Sequence, residues 1–136
     1  KDPLLKKGIF YLCRSGLFLF FFFSVYVSKA QNTEVKIDDP KQNFETVMQG
    51  EIVRLKYEVT NIGTVPLILK DYAVECSCTS ADYATEPILP GKTASVIVLF
   101  DTKSAYERQD RSVEIFCNVK GGSIKVRFKG NVKKKK

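Results

Sequence analysis

The residues with most chemical potential are two cysteines one residue apart, Cys76 and Cys78, in the stretch Asp71–Thr79, DYAVECSCT. On an extended strand, side chains two apart share a face and sit about 7 Å apart along the chain. Such thiols are buried together or offered together to something outside. Three readings stand. In the first, the pair packs or bridges and pins its own backbone. In the second, an exposed pair exchanges disulfides with a partner. Nearby cations would favour that by lowering a thiol pKa, yet the nearest charges in sequence are Asp71, Glu75 and Asp82. In the third, two thiolates hold a soft ion such as Cu(I), so copper is the alternative to having no cofactor at all. A closed zinc site needs four ligands. With no histidine in the sequence, only Cys117 and carboxylates are left to complete one.

The remaining cysteines bear on the same question. Cys13 falls in the N-terminal leader described below, which leaves Cys76, Cys78 and Cys117. Three thiols leave one unpaired or bonded to another chain. An extended C-x-C holds its Cα atoms near the upper limit for a disulfide, so a bond within the pair requires a local bend. Cys117 shares an apolar strand face with Ile115 and reads as a small core residue. A disulfide from Cys117 to Cys76 or Cys78 is the alternative.

Catalytic machinery is not evident. Without histidine the commonest general base is missing, and so is any Ser-His-Asp arrangement. Asp38, Asp39 and the other carboxylates are scattered over loops and polar faces. Gly121-Gly122 precedes a strand, where a phosphate-binding loop requires a helix. These residues read as a non-enzyme.

The scaffold begins after an atypical N-terminus. Lys1, Lys6, Lys7 and Arg14 precede an eleven-residue apolar run, Leu17–Val27, and then Ser28-Lys29-Ala30. A basic start, a short apolar core and small residues at −3 and −1 mark a secretory signal peptide cleaved after Ala30. As a helix the run reaches roughly 16 Å, about half a bilayer's hydrocarbon thickness. An uncleaved anchor starting at Ile9 would have to bury Arg14 in lipid. The expected location is outside the cytosol, periplasmic or extracellular, with membrane contact only through the leader or the basic tail.

Residues 31–136 carry 17 basic and 14 acidic side chains, a net +3. Lys133–Lys136 contribute four of those charges, which leaves the rest at −1. The sequence pI near 9.2 is therefore set by the two ends. A nucleic-acid binder needs a basic face on the domain itself, so nucleic acid is not an expected partner. The tail, 133–136, reads as a solvated end or a contact to an anionic envelope surface.

Gln31–Lys41 is a polar lead-in with a possible short strand at Val35–Ile37, and the sandwich domain is expected over 43–132. Asn43–Gln49 reads as its first strand. In Glu51–Asn61, Val53, Leu55, Tyr57 and Val59 alternate with Arg54, Lys56, Glu58 and Thr60, the period-two signature of a strand packed on one face. Asn61–Thr64 reads as a turn, on the tolerance of Asn and Gly for positive φ. Leu67–Cys78 is a long extended run that bends or changes sheet near Asp71, and Thr79–Tyr83 an edge strand. Glu86–Gly91 is a turn-rich loop holding Pro87 and Pro90. Thr93–Asp101 is apolar on both faces, as for a strand covered on both sides. Lys103–Asp110 reads as a loop. Arg111–Val119 alternates again, Gly121-Gly122 makes a tight hairpin, and Ser123–Val132 returns. The expected core includes Val96, Val98, Ile115, Val126 and Phe128. About seven short strands at near-regular spacing argue for an all-β, immunoglobulin-like antiparallel β-sandwich.

The order of landmarks adds a resemblance. Asn43-Phe44 with Val47 and Gly50, Thr60-Asn61-Ile62-Gly63, Pro66-Leu67, Cys76-Ser77-Cys78-Thr79, Pro87-Ile88-Leu89-Pro90-Gly91 and Phe100-Asp101-Thr102 follow one another at characteristic spacing. In that order they resemble the bacterial "domain of unknown function 1573" family, whose usual pattern runs F-x-x-V-x-x-G, T-N-x-G, P-L, C-x-C-T, P-I-x-P-G and F-x-T. The family usually has glycine between the cysteines, where this chain has Ser77. The resemblance implies an immunoglobulin-like fold, an exported location and no assigned reaction. The function expected is an exported, non-enzymatic module working by protein or envelope-surface contact, with the thiol site as the rival.

Overall fold

The alternation that identifies a strand in the sequence also dictates which face is buried. The computed structural model describes residues 32–136; the leader reading, its cleavage point and Cys13 lie outside the described residues. Nine strands are formed among them: β1 (Val35–Ile37), β2 (Lys41–Asn43), β3 (Val47–Met48), β4 (Ile52–Asn61), β5 (Leu69–Val74), β6 (Thr79–Tyr83), β7 (Thr93–Asp101), β8 (Glu107–Cys117) and β9 (Ser123–Lys133). They make two sheets, β1-β4-β7-β6 and β2-β9-β8-β5, with β3 also on β9. There is no helix among the described residues. The fold is all-β and immunoglobulin-like.

Val53, Leu55, Tyr57 and Val59 on β4 point inward, each no more than 7% exposed. Across the sandwich they meet Val113, Ile115 and Cys117 of β8 and Val126 and Phe128 of β9, all buried. Burial pushes the Tyr57 phenol well above its ordinary pKa. Its hydroxyl donates to the Arg127 carbonyl at 3.1 Å, so a polar atom taken out of water keeps a partner.

Several expectations are corrected. The sheets are not wholly antiparallel: β2 and β3 run parallel to β9. Asn43–Gln49 is not one strand, because Phe44 turns inward between the two short ones. Its ring lies 6.1 Å from Phe100 and 6.2 Å from Phe128, centroid to centroid. The lead-in is part of the sandwich, since β1 pairs with β4 and β2 starts at Lys41. Lys133 of the basic tail belongs to β9. β7 is central in its sheet but covered on one face only, so Val96, Val98 and Phe100 are buried while Ile97 and Leu99 are half-exposed. β8 begins at Glu107, inside the expected loop, and ends at Cys117. Val119 falls past it and still packs on the core from the turn. That turn spans Asn118–Gly122, longer than a two-residue hairpin, with Gly121 and Gly122 at φ of 107° and 81°.

The Asn61–Thr64 turn also holds a surprise. Neither Asn61 nor Gly63 has positive φ. Gly63 is required for room: a Cβ there would run into the backbone at Asn32, Thr33 and Glu34. Gly63 and Ile62 both donate to the Glu34 carbonyl, which lashes the start of β1 to this turn. Gly63→Ala should therefore cost about 1–3 kcal/mol, the usual range for overpacking, and urea titration would measure it. A change within about 0.5 kcal/mol would show that the segment before β1 is not seated there.

Charge decorates the outer face of the second sheet. The Asp110 carboxylate accepts two hydrogen bonds from the Arg127 guanidinium, at 2.6 and 2.7 Å, and lies 3.5 Å from the Lys129 ammonium. The Arg127 hydrogen bond holds Asp110 below the usual carboxylate pKa. A depressed carboxylate stabilises the fold above its unfolded pKa, and the contribution fades as pH falls through the folded value. The pair is exposed, so the effect is small and salt-screened. Asp110→Asn should flatten the acid side of a stability-pH curve slightly in low salt and leave it unchanged in 1 M salt.

Candidate functional site

The chain between β5 and β6 has to cross from one sheet to the other, and Cys76 and Cys78 sit in that crossing. β5 leaves its ladder at Val74, opposite Val113, and β6 joins the other sheet at Thr79, opposite Phe100. The expected bend near Asp71 is a register shift between Leu69 and Asp71, and the change of sheet comes later, at the cysteines. Cys76–Thr79 forms a turn closed by the Thr79 N–H donating to the Cys76 carbonyl at 3.2 Å. The turn brings the two Cα atoms to 5.2 Å, and Cys76 and Cys78 are joined as a disulfide. An extended strand would have kept them too far apart. That was the bend a bond within the pair required. Ser77 is exposed and its φ is not positive, so the turn needs no glycine there.

This ring contributes little as a staple. Closing three residues removes roughly 1.5 kcal/mol of unfolded-chain entropy, about half the value for a 15-residue loop. Both cysteines are partly exposed. Thr79, 5% exposed, places its hydroxyl 3.7 Å from the Cys76 sulfur and 3.8 Å from the Cys78 sulfur. A disulfide sulfur carries no hydrogen, so the hydroxyl is the donor. The Cys78 carbonyl accepts from the Asp101 N–H at 2.8 Å, which ties the turn to the end of β7. Beside it, the Glu75 carboxylate accepts the Ser112 hydroxyl at 2.6 Å.

Cys117 is not brought to this site. It lies opposite Leu69, at the other end of β5, and is free and buried. Burial pushes its thiol above the ordinary cysteine pKa. An alkylating reagent should therefore leave Cys117 close to unlabelled in the native, non-reduced protein at neutral pH and label it after unfolding. Rapid labelling of Cys117 in the native state would contradict its place in the core. While the Cys76–Cys78 bond stands it offers no thiolate to copper, which would need the reduced pair. Among the described residues no three Cys, Asp or Glu side chains converge.

A second feature adjoins the disulfide and gave no sequence signal. β8 pairs with β9 along Glu107–Phe116, but β5 covers its other side only from Val113 to Cys117. Glu107–Ser112 therefore has no strand on that side among the described residues. Next to it is a shallow recess of about 250 Å³ lined by Glu75, Asp110, Arg111, Ser112, Lys125 and Arg127. Arg111 closes the mouth between the sheets, its guanidinium 5.6 Å from the Phe100 ring centroid and bonded to Gln109. The shortness of β5 leaves this stretch open, and only the pairing register reveals it.

A two-sheet immunoglobulin-like sandwich with a cystine turn at its sheet crossing is the class this geometry defines. The chain belongs to the family described as "Protein of unknown function (DUF1573)", which it matches over residues 35–132. Among solved structures it is similar to a protein of unknown function from Porphyromonas gingivalis W83, at 18% identity and a TM-score of 0.65, over 75% of this chain and 48% of that one. This chain thus spans about half of that protein's length. It is also similar to the ASH / PapD-like domain 7 of human CEP192, at 14% identity and a TM-score of 0.60, over 80% of this chain and 92% of that domain. A third similar chain, the VesB protease of Vibrio cholerae, is matched over 31% of its own length, at 17% identity and a TM-score of 0.56. At these identities the likeness is one of fold. No curated protein matches.

Proposed function

We propose that this chain is an exported, non-enzymatic sandwich module that holds an extended segment of an envelope protein along the free side of β8. One observation carries the reading: Glu107–Ser112 has β9 on one side and, among the described residues, no strand on the other, where β5 ends at Val74. A peptide laid there gains main-chain hydrogen bonds from the edge, and alternate side chains meet the charged recess at Asp110 and Arg127. Export rests on the leader, Lys1–Ala30, and on cysteines that suit an oxidising compartment.

Photo-crosslinking tests it. A photoreactive residue in place of Arg108, on β8, should capture a protein from envelope extracts. The same residue in place of Glu58, on the outer face of the other sheet, should not. Equal capture at both positions, or none at either, overturns the reading.

A further inference from the structure

The cystine turn has a use that does not depend on the β8 edge. We propose that the Cys76–Cys78 disulfide is a thiol–disulfide exchange site that passes its bond, once per molecule and without turnover, to cysteine pairs in unfolded or extended polypeptide. Four observations support it. The bond lies in a partly exposed turn outside both ladders, so an incoming thiolate approaches it without a strand having to open. Its ring is too short to contribute much as a cross-link. Thr79 holds one hydroxyl within 3.8 Å of either sulfur, so whichever sulfur leaves as a thiolate has a donor already in place. Cys117 is buried and at the far end of β5, so no third thiol of the described residues intercepts the reaction.

The step balances as follows. A thiolate of the substrate attacks one sulfur of the pair. The S–S bond breaks, and its electrons go to the other sulfur, which departs as a thiolate accepting the Thr79 hydrogen bond and then takes a proton. The substrate's second thiolate attacks its own sulfur in the mixed disulfide and displaces the remaining protein cysteine. The substrate ends with a disulfide. Cys76 and Cys78 end as two thiols, having gained the two electrons and two protons the substrate lost. The nearest carboxylate in sequence, Glu75, which would disfavour a thiolate, is held by the Ser112 hydroxyl.

The test uses the full chain recovered from an exporting host and a reduced, unstructured synthetic peptide with two cysteines, mixed without oxygen. One peptide disulfide should form for each protein disulfide lost, at least about tenfold faster than with oxidised glutathione at equal concentration. Thr79→Val should slow the reaction about tenfold, the expected weight of one hydrogen bond to a charged sulfur, and Thr79→Ser should restore it. A wild-type rate no faster than that of oxidised glutathione overturns the proposal, whether or not the variants fold. So does an unchanged rate in a folded Thr79→Val protein.

Discussion

Phe128→Ala should lower the free energy of unfolding by about 3–5 kcal/mol, the usual cost of removing a fully buried aromatic ring. Phe128 has no exposed surface. Its ring centroid lies 5.4 Å from that of Phe100 and 6.2 Å from that of Phe44, in tilted contacts that add to the burial itself. Removing it also undoes the seating of Phe44, which is wedged against Gly130 at 2.5 Å from where a Cβ would stand. Gly130 is free of that Cβ, and only for this reason does the Phe44 ring fit over β9. Against a typical domain stability of roughly 5–15 kcal/mol, the loss is a large share of the total. It should appear in urea as a lower midpoint with an unchanged slope. A loss under about 1 kcal/mol would mean that the aromatic cluster is not the centre of the core.

Asn61→Ala should be nearly as damaging, at about 3 kcal/mol or more, for a different reason. Asn61 is fully buried, yet every polar atom of its side chain is used. Its Nδ2 donates to the Val65 and Ile88 carbonyls, both at 2.8 Å, and its Oδ1 accepts from the Gly63 N–H at 2.9 Å. One side chain thereby joins the turn after β4 to the loop before β7. Alanine removes three hydrogen bonds of about 1 kcal/mol each. The Ile88 carbonyl keeps the Leu67 N–H and the Gly63 N–H keeps the Glu34 carbonyl, while the Val65 carbonyl loses its partner. Asn61→Asp sharpens the test. A carboxylate there would face two carbonyl oxygens, so burial and repulsion should raise its folded pKa. A raised carboxylate leaves the variant closest to wild type below the unfolded pKa, near 3.9, and progressively weaker as pH rises. Thermal melts at acid and neutral pH would read this directly. A pH-independent deficit would place the side chain in water.

The strands that pack on one face were legible because their pattern is local. From Val53 to Thr60 of β4 each inward residue is apolar and each outward one polar or charged, so a single pass over the sequence assigns both the element and its buried side. The same holds for Val126 and Phe128 on β9. What escaped was set by distant partners. Nothing in Asn43–Gln49 announces that Phe44 dives between the sheets, because the space it fills is created by Gly130. The glycine at position 63 looked like a conformational requirement and is a steric one, imposed by a segment thirty residues away. Cys76 and Cys78 were visible as a pair. Their bond depends on a turn that an alternating run disguises, since DYAVECSCT continues its pattern through the point where the backbone leaves the ladder. The open side of β8 follows from β5 being short, and alternation carries no information about where a neighbour stops.

The position of β9 has a consequence for how the molecule comes into being. It is the last of the described strands to be synthesised, yet it sits inside its sheet, with β8 on one flank and the early segments β2 and β3 on the other. Lys41 must wait for Arg127, and Val47 for Val132, before either finds its neighbour. Closing contacts so distant in sequence is slow. A nascent polypeptide that still lacks this strand leaves β8, β2 and β3 without their shared neighbour, so locking of the second sheet is deferred until β9 has been made.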